Sequence, residues 1–353
     1  MKLKVGGGIG EHGRNCFYIQ HNDLSVIFDC GVMLGDKSPY PRLTSAQIAG
    51  SDYLFLSHSH QDHTGAYTWL AEQGFKGKIV MTSQTASQLN FKGKIRNPVI
   101  LIDELASPLE PCLVDNKVTV LWGRSGHCMG GCWFKIEIDD EGVLYSGDYI
   151  EFSLSFACDP ICDQNATLAI IDNAYGDSIQ TPEQYRLELL ELTKSMLKIG
   201  KNLLFPVPKY GRGLELIQLF AECLPDAPLS GDEHLRSQIR HIELIQDWLT
   251  PQAFNVLSKI KLGSLYKAFS KPGIIFVADP QLERPKSQAL AQTAINRNST
   301  IVITGYADMG TYSRRLLENK PAIFARYPVH MNDRETNRII SANEFEKSVN
   351  FHR

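Results

Sequence analysis

Residues 54–66 read LFLSHSHQDHTGA. Three histidines and one aspartate, His58, His60, Asp62 and His63, fall within six residues directly after an apolar run. The run has the composition of a buried strand, and the motif stands at its end. In extended chain, side chains two apart face the same way, so His58 and His60 reach one cation together. Asp62 and His63 fall after the turn, where TGAYTWLAEQ (64–73) opens a helix, and they can face a second cation beside the first. Neutral imidazole suits zinc, and carboxylate completes a harder site. A polar turn with surface histidines is the bland alternative; the spacing favours a metal site.

One motif does not complete two ions, so other segments must contribute. WGRSGHCMGG supplies His127 between glycines after a strand, VLYSGDY supplies Asp148, and VIFDCG supplies Asp29, both at strand ends. Alone, each reads as a structural histidine or a turn aspartate. Together they describe one rim of a sheet edge lined with donors.

The surrounding sequence supplies the sheets. NCFYIQ, LSVIFDCG, YLFLS, KIVMTS, VTVLWG, CWFKIEID, GVLYSGD and LAIIDN are short β-rich runs bounded by Gly, Asp and Ser. From Thr181 the period changes. TPEQYRLELLELTKSMLKIG has helical spacing with Pro and Glu at its start and Gly200 at its end. NLLFPVP, GIIFVA and TIVITGY read as buried strands, and GRGLELIQLFAECL, SGDEHLRSQIRHIELIQDWL and PQAFNVLSKIKLGSLYKAF as helices. Strands alternating with helices predict an α/β unit on a parallel sheet.

The 353 residues are 43% hydrophobic and 21% charged, as in an ordinary folded protein of about two domains. Residues 179–320 carry a net charge of +4 and the flanks −7, summing to −3. That asymmetry suits an anionic substrate over the middle segment and cations held by the flanks. No apolar run is long enough to span a membrane, and the N-terminus has no signal-peptide h-region, so a cytoplasmic protein is expected. The eight cysteines form no CxxC pair and are expected as reduced thiols. Cys128 beside His127, and Cys158 and Cys162, are read as structural.

Asp29, the HSHQDH run, His127 in GHCMGG and Asp148 in SGD resemble, in order, the four motifs of the metallo-β-lactamase fold. The middle of the chain resembles that superfamily's β-CASP branch of nucleases. IIDNAYGD with Asp172 is similar to its acidic strand-end motif, and GKNLLFPVPKYGRGLELIQLF to its strand–proline–Gly-Arg helix. VITGYADMGTYSRRLL is similar to its glycine- and arginine-containing run, and YPVHMNDRETNRII places His330 at its second motif. GGIGEHGRNCFYI resembles the opening of ribonuclease J and its archaeal relatives. The third motif is a histidine after an apolar strand, and the matching residue is His352 in KSVNFHR. The sequence departs from the pattern at Val329, where a small residue is usual, and in having Arg353 rather than glycine after His352.

The resemblance implies an α/β fold: an αββα metallo-β-lactamase sandwich over residues 1–178, an inserted α/β β-CASP cap domain over 179–320, and a return to the sandwich over 321–353. It implies two Zn2+ ions. His58, His60 and His127 would hold the first, Asp62, His63 and His352 the second, with Asp148 bridging them and Asp29 orienting a ligand histidine. It further implies a zinc-dependent nuclease that cleaves phosphodiester bonds by a two-zinc bridging-hydroxide mechanism. The expected substrate is single-stranded RNA, with DNA the second candidate, and cutting internal, with exonuclease action in addition. Asp62 would orient or deprotonate the nucleophile, His330 would contact the scissile phosphate or protonate the leaving oxygen, and Asp172 would set the tautomer of His330. Arg212, at a glycine-flanked helix start, would bind phosphate. A homodimer or a larger processing complex is the expected assembly. Two alternatives stand beside this: a metal-dependent hydrolase of a smaller phosphodiester or thioester, and a catalytically silent scaffold subunit of the β-CASP type.

Overall fold

The computed structural model describes residues 1–90 and 96–352. They divide into two compact units: Met1–Glu151 with Cys158–Ile179 and His330–Arg353, and Phe152–Ala157 with Gln180–Val329.

The first unit holds two six-stranded sheets. One runs in the order Lys2–Gly7, Cys16–His21, Leu24–Phe28, Tyr53–Phe55, Lys78–Met81, Val99–Leu101, antiparallel over its first three strands and parallel thereafter. The other runs Ser348–Phe351, Leu168–Asp172, Glu141–Tyr145, Cys132–Ile138, Val118–Arg124, Cys112–Val114. Period-two alternation gives each strand two apolar faces. Phe17, Phe28 and Phe55 of the first sheet meet Tyr145, Phe134 and Phe351 of the second, with ring centroids 5.2–5.6 Å apart. Their neighbours Tyr18, Ile27 and Leu54 turn outward and pack under Tyr67 and Leu70 of the helix Tyr67–Glu72. On the far side, Leu144, Ala169 and Ile171 pack with Ile339 of the helix Asp333–Ser341. Helix, sheet, sheet, helix is the αββα sandwich that the motifs imply.

The second unit is one parallel sheet in the order Gly263–Ser264, Leu229–Gly231, Ile274–Val277, Leu203–Pro206, Thr300–Ile303, Ala322–Phe324. Helices cover both faces, as parallel sheets require. Leu204, Ile275 and Ile301 pack against Ala291, Ala294 and Leu316, while Phe205 and Phe276 pack against Phe220 on the other face. The entry helix Pro182–Lys198 starts at a capping box between Thr181 and Gln184 with Pro182 in its first turn.

Three local readings of the sequence differ from the fold. The run 251–269 is α-helical only over Pro251–Leu257, with a 3-10 turn at Leu265–Lys267; Gly263–Ser264 instead pairs with Leu229–Gly231, and the buried Leu262 packs over Gly231. Strand pairing there overrides helical spacing. Residues 321–329 stay with the second unit, because Ala322–Phe324 extends its sheet from Thr300–Ile303. Phe152–Ala157 also belongs to it: the buried Glu215 carboxylate accepts from the Ser153 hydroxyl (2.6 Å) and the Leu154 amide (2.8 Å).

Candidate metal centre

Six of the candidate groups of the first unit lie at or just beyond a strand terminus. Asp29 follows Leu24–Phe28, His58 follows Tyr53–Phe55, and His127 follows Val118–Arg124. Asp148 follows Glu141–Tyr145, Asp172 ends its strand, and His352 follows Ser348–Phe351. These strand ends share one edge of the sandwich, as the parallel pairings dictate.

The central motif is held by backbone. Asp62 and His63 sit on a single helical turn of their own, Gln61–Thr64, just ahead of the helix Tyr67–Glu72. Cys30 N–H donates to the His63 carbonyl (2.7 Å), Val32 N–H to that of Gln61 (3.0 Å), and Asn15 N–H to that of Asp62 (2.9 Å). This approach needs Gly31: a Cβ there would lie 1.5 Å from the Asp62 carbonyl oxygen. Gly126, with φ +73° and space for a Cβ only 2.0 Å from the Ile150 carbonyl, turns His127 in.

The donors form three groups that share Asp148. In the first, His58 Nε2 and His127 Nε2 lie 3.0 and 3.2 Å from His60 Nδ1, and 3.5 and 3.4 Å from Asp148 Oδ2. In the second, His63 Nε2 and His352 Nδ1 lie 3.0 and 3.3 Å from Asp148 Oδ1. Asp62 Oδ2 lies 3.6 Å from His63 Nε2 and 3.3 Å from His352 Nε2. A third group joins Asp148, Asp172, His330 and His352. The two oxygens of Asp148 thus face different groups.

The chemistry of this donor set fits metal ions. Neutral imidazole nitrogens facing one another at these distances repel through their lone pairs unless a proton or a cation lies between them. Asp148 Oδ1 and His352 Nδ1 are buried with no hydrogen-bond partner, an arrangement that costs free energy without a cation to share.

The protonation pattern follows the geometry. Burial, with the neighbouring His63, pushes His58 well below the ordinary histidine value. Burial also disfavours charge on His63, but the carboxylates of Asp148, Asp62 and Asp29 more than offset it and hold His63 well above that value. His352 is raised to about 10, since Asp148 and Asp172 likewise outweigh its burial. Asp148 and Asp62 stand well below the ordinary carboxylate value because facing histidines, His63 above all, overcome their burial.

Around the donors lies a shell of orienting groups. Asp29 is fully buried; its Oδ1 accepts from Ser57 N–H (2.8 Å), and its Oδ2 from the Ser57 hydroxyl (2.7 Å), the Tyr145 hydroxyl (2.6 Å) and His63 Nδ1 (2.7 Å). His330 Nδ1 donates to Asp172 Oδ2 (2.9 Å), and Asp172 is held by the Tyr149 and Ala174 amides at 3.1 Å each. The Tyr175 ring meets His330 edge-on at 5.4 Å.

Asp29, His58, His60, Asp62, His63, His127, Asp148, Asp172, His330 and His352 therefore come together in the first unit. Arg212 lies in the second unit, at the start of the helix Arg212–Cys223, where its guanidinium packs over Gly305. Sequence reading passed over Ser57, Tyr145, Asn15 and His12. The His12 ring stacks on His352 at 4.7 Å, and burial together with His352 lowers His12 to about 3. Ser57 and Tyr145 carry no motif signal beyond adjoining one.

No helix among the described residues is long and apolar enough to cross a membrane. A protein from Cenarchaeum symbiosum named transcription termination factor FttA is 28% identical over 62% of this chain and 38% of its own length. Cleavage and polyadenylation specificity factor 73 of Drosophila melanogaster is 25% identical over 92% of this chain and 53% of its own. Endoribonuclease YSH1 of Kluyveromyces lactis is 22% identical over 90% of this chain and 48% of its own. The chain thus spans about half or less of the length of these relatives. A crystal structure of a protein of unknown function from Enterococcus faecalis V583 superimposes with a TM-score of 0.56 over 99% of this chain and 93% of that one, at 13% identity, a likeness of fold. The family model of the metallo-beta-lactamase superfamily matches residues 9–195, more than half of the chain, and with the αββα sandwich and its edge of histidines and aspartates this establishes that the chain belongs to the metallo-β-lactamase superfamily.

Proposed function

We propose that the protein is a zinc-dependent nuclease of the β-CASP type that hydrolyses phosphodiester bonds in single-stranded RNA, with the second unit as its inserted cap domain. The observation that carries this reading is the division of Asp148 between two donor groups, one nitrogen-rich and one mixed. It fits a pair of zinc ions: His58, His60 and His127 would hold one, Asp62, His63 and His352 the other, and Asp148 both. The names of the relatives, an endoribonuclease and a cleavage factor among them, support RNA as the substrate. The donor set is complete, which speaks against a silent scaffold.

Zinc in these positions supplies Lewis acidity, lowering the pKa of a water and drawing charge from a phosphate oxygen. The protein's own groups do the rest. Asp62, with 27% of its side chain exposed, is more open than the histidines and Asp148 of its group, and its Oδ2 accepts the proton of the attacking water. Asp29 fixes the tautomer of His63 so that Nε2 carries the lone pair. Asp172 accepts from His330 Nδ1 and steadies the doubly protonated ring, whose Nε2–H would be the proton that the departing oxygen receives. Arg212, at its glycine-flanked helix start, would bind phosphate. Partners that complete a processing complex, or a second copy of the chain, would act on this core.

The test is cleavage of end-labelled single-stranded RNA and DNA of one sequence by the full chain, with and without chelator, and with Asp62→Asn. Internal RNA fragments that vanish with chelator and with the substitution support the reading. Intact RNA in the presence of added zinc overturns it for the chain acting alone.

A further inference from the structure

We infer that the side-chain oxygen of Asn15 is a further ligand of the second metal position, beside Asp62, His63, Asp148 and His352. This rests on the two-ion reading above and deepens it.

Asn15 stands at the end of the glycine-rich segment GGGIGEHGRN, just before the strand Cys16–His21. It is fully buried. Its backbone is pinned to the site: its N–H donates to the Asp62 carbonyl at 2.9 Å, and its carbonyl accepts from Gly31 N–H at 3.0 Å. Its carboxamide end points at the donors. Nδ2 lies 2.9 Å from His63 Nε2 and 3.4 Å from His352 Nε2. Those same two nitrogens lie 3.6 and 3.3 Å from Asp62 Oδ2. The carboxamide thus stands among the donor atoms at the spacing that the Asp62 carboxylate itself keeps.

The other end of the carboxamide is unsatisfied. Asn15 Oδ1 is buried with no hydrogen-bond partner. It is turned to Gly8, where a Cβ would come within 2.4 Å of it. When a cation is bound, Asp29 keeps the His63 proton on Nδ1 and the Nε2 lone pair, 2.9 Å from Asn15 Nδ2, goes to the ion. A cation that takes this lone pair leaves an NH2 group facing positive charge with nothing to accept its hydrogens. Half a turn about the last side-chain torsion exchanges nitrogen for oxygen within the same volume. It removes the buried orphan oxygen and places a hard carbonyl donor on the cation. No such exchange is available at the first position, whose donors are His58, His60, His127 and Asp148.

The test titrates the full chain with Zn2+ against a chromophoric chelator, and with Co2+ followed in the visible spectrum. Two variants separate oxygen from shape: Asn15→Leu, of equal size without the oxygen, and Asn15→Asp, which keeps it. The wild type is expected to take two equivalents. Asn15→Leu should bind the first as the wild type does and the second about tenfold more weakly, with an altered Co2+ band for the second. Asn15→Asp should bind the second at least as tightly as the wild type. Wild-type affinity and spectrum in Asn15→Leu, or equal loss in Asn15→Asp, would overturn the assignment. Asn15→Ala carries the same test where Asn15→Leu lacks the wild-type circular dichroism. A wild type that takes fewer than two equivalents overturns the two-ion reading and this inference with it; two equivalents, with the leucine variant unaffected, overturn the inference alone.

Discussion

Asp29→Asn should uncouple the second metal position without breaking the fold. The wild-type carboxylate only accepts: Oδ1 from the Ser57 amide, and Oδ2 from two hydroxyls and His63 Nδ1. An asparagine must turn its NH2 to one of these sides. Toward the Ser57 amide it meets a backbone donor 2.8 Å away that cannot reorient. Toward the Oδ2 side it meets two hydroxyls that can rotate to accept, and a ring nitrogen 2.7 Å away that can accept only if His63 moves its proton to Nε2. The second arrangement wins, and it puts a hydrogen on the atom that faces Asp148 Oδ1 at 3.0 Å. Binding an ion there then requires inverting the tautomer against the new hydrogen bond. Loss of an orienting partner of this kind weakens metal affinity about tenfold to a hundredfold, or roughly 1.4–2.8 kcal/mol. Zinc titration reads the affinity, and long-range nitrogen NMR reads the His63 tautomer. Tyr145→Phe, which removes one donor to Oδ2 and leaves the tautomer alone, should weaken the second ion less. Second-ion affinity in Asp29→Asn within about twofold of the wild type would refute the reasoning.

Gly31→Ala should displace the Gln61–Thr64 turn, since the added carbon has no room beside the Asp62 carbonyl; the overpacking should cost about 1–3 kcal/mol. Thermal melting and metal content check this, and an unchanged second equivalent would contradict it. Glu215 is raised above its ordinary 4.5 by burial, only partly offset by the Ser153 hydroxyl and Arg186. A raised folded-state pKa contributes stability below the ordinary value that is lost as pH rises from it through the raised one. Glu215→Gln should therefore flatten the fall in stability from acid to neutral pH; parallel melting profiles for the two proteins would rule this out.

The site was legible in the sequence where donors are adjacent or mark strand ends. His58, His60, Asp62 and His63 announce themselves because backbone periodicity alone puts them together. His127 and Asp148 needed the further inference that strand ends share an edge, and His352 was reached only through the family resemblance. Asn15, Ser57, His12 and Tyr145 were not legible, because their contacts with the donors arise from packing and no local spacing encodes them. The fold shows the same division. Alternating runs yielded the sandwich strands and the parallel sheet, whereas 251–269 was misread because Gly263–Ser264 is a strand only by virtue of its neighbour.

His63 and His352 lie 289 residues apart in the chain, yet both face one oxygen of Asp148. During synthesis, therefore, His58, His60, His127 and Asp148 can assemble while the second group still lacks a donor. His352 arrives only when Ser348–Phe351 adds, in parallel, to the edge strand Leu168–Asp172. Such a long-range pairing is among the slower and more entropically demanding steps of folding. A ribosome-bound fragment that stops short of residue 348 would therefore hold the donors of the first group while the second still lacks one.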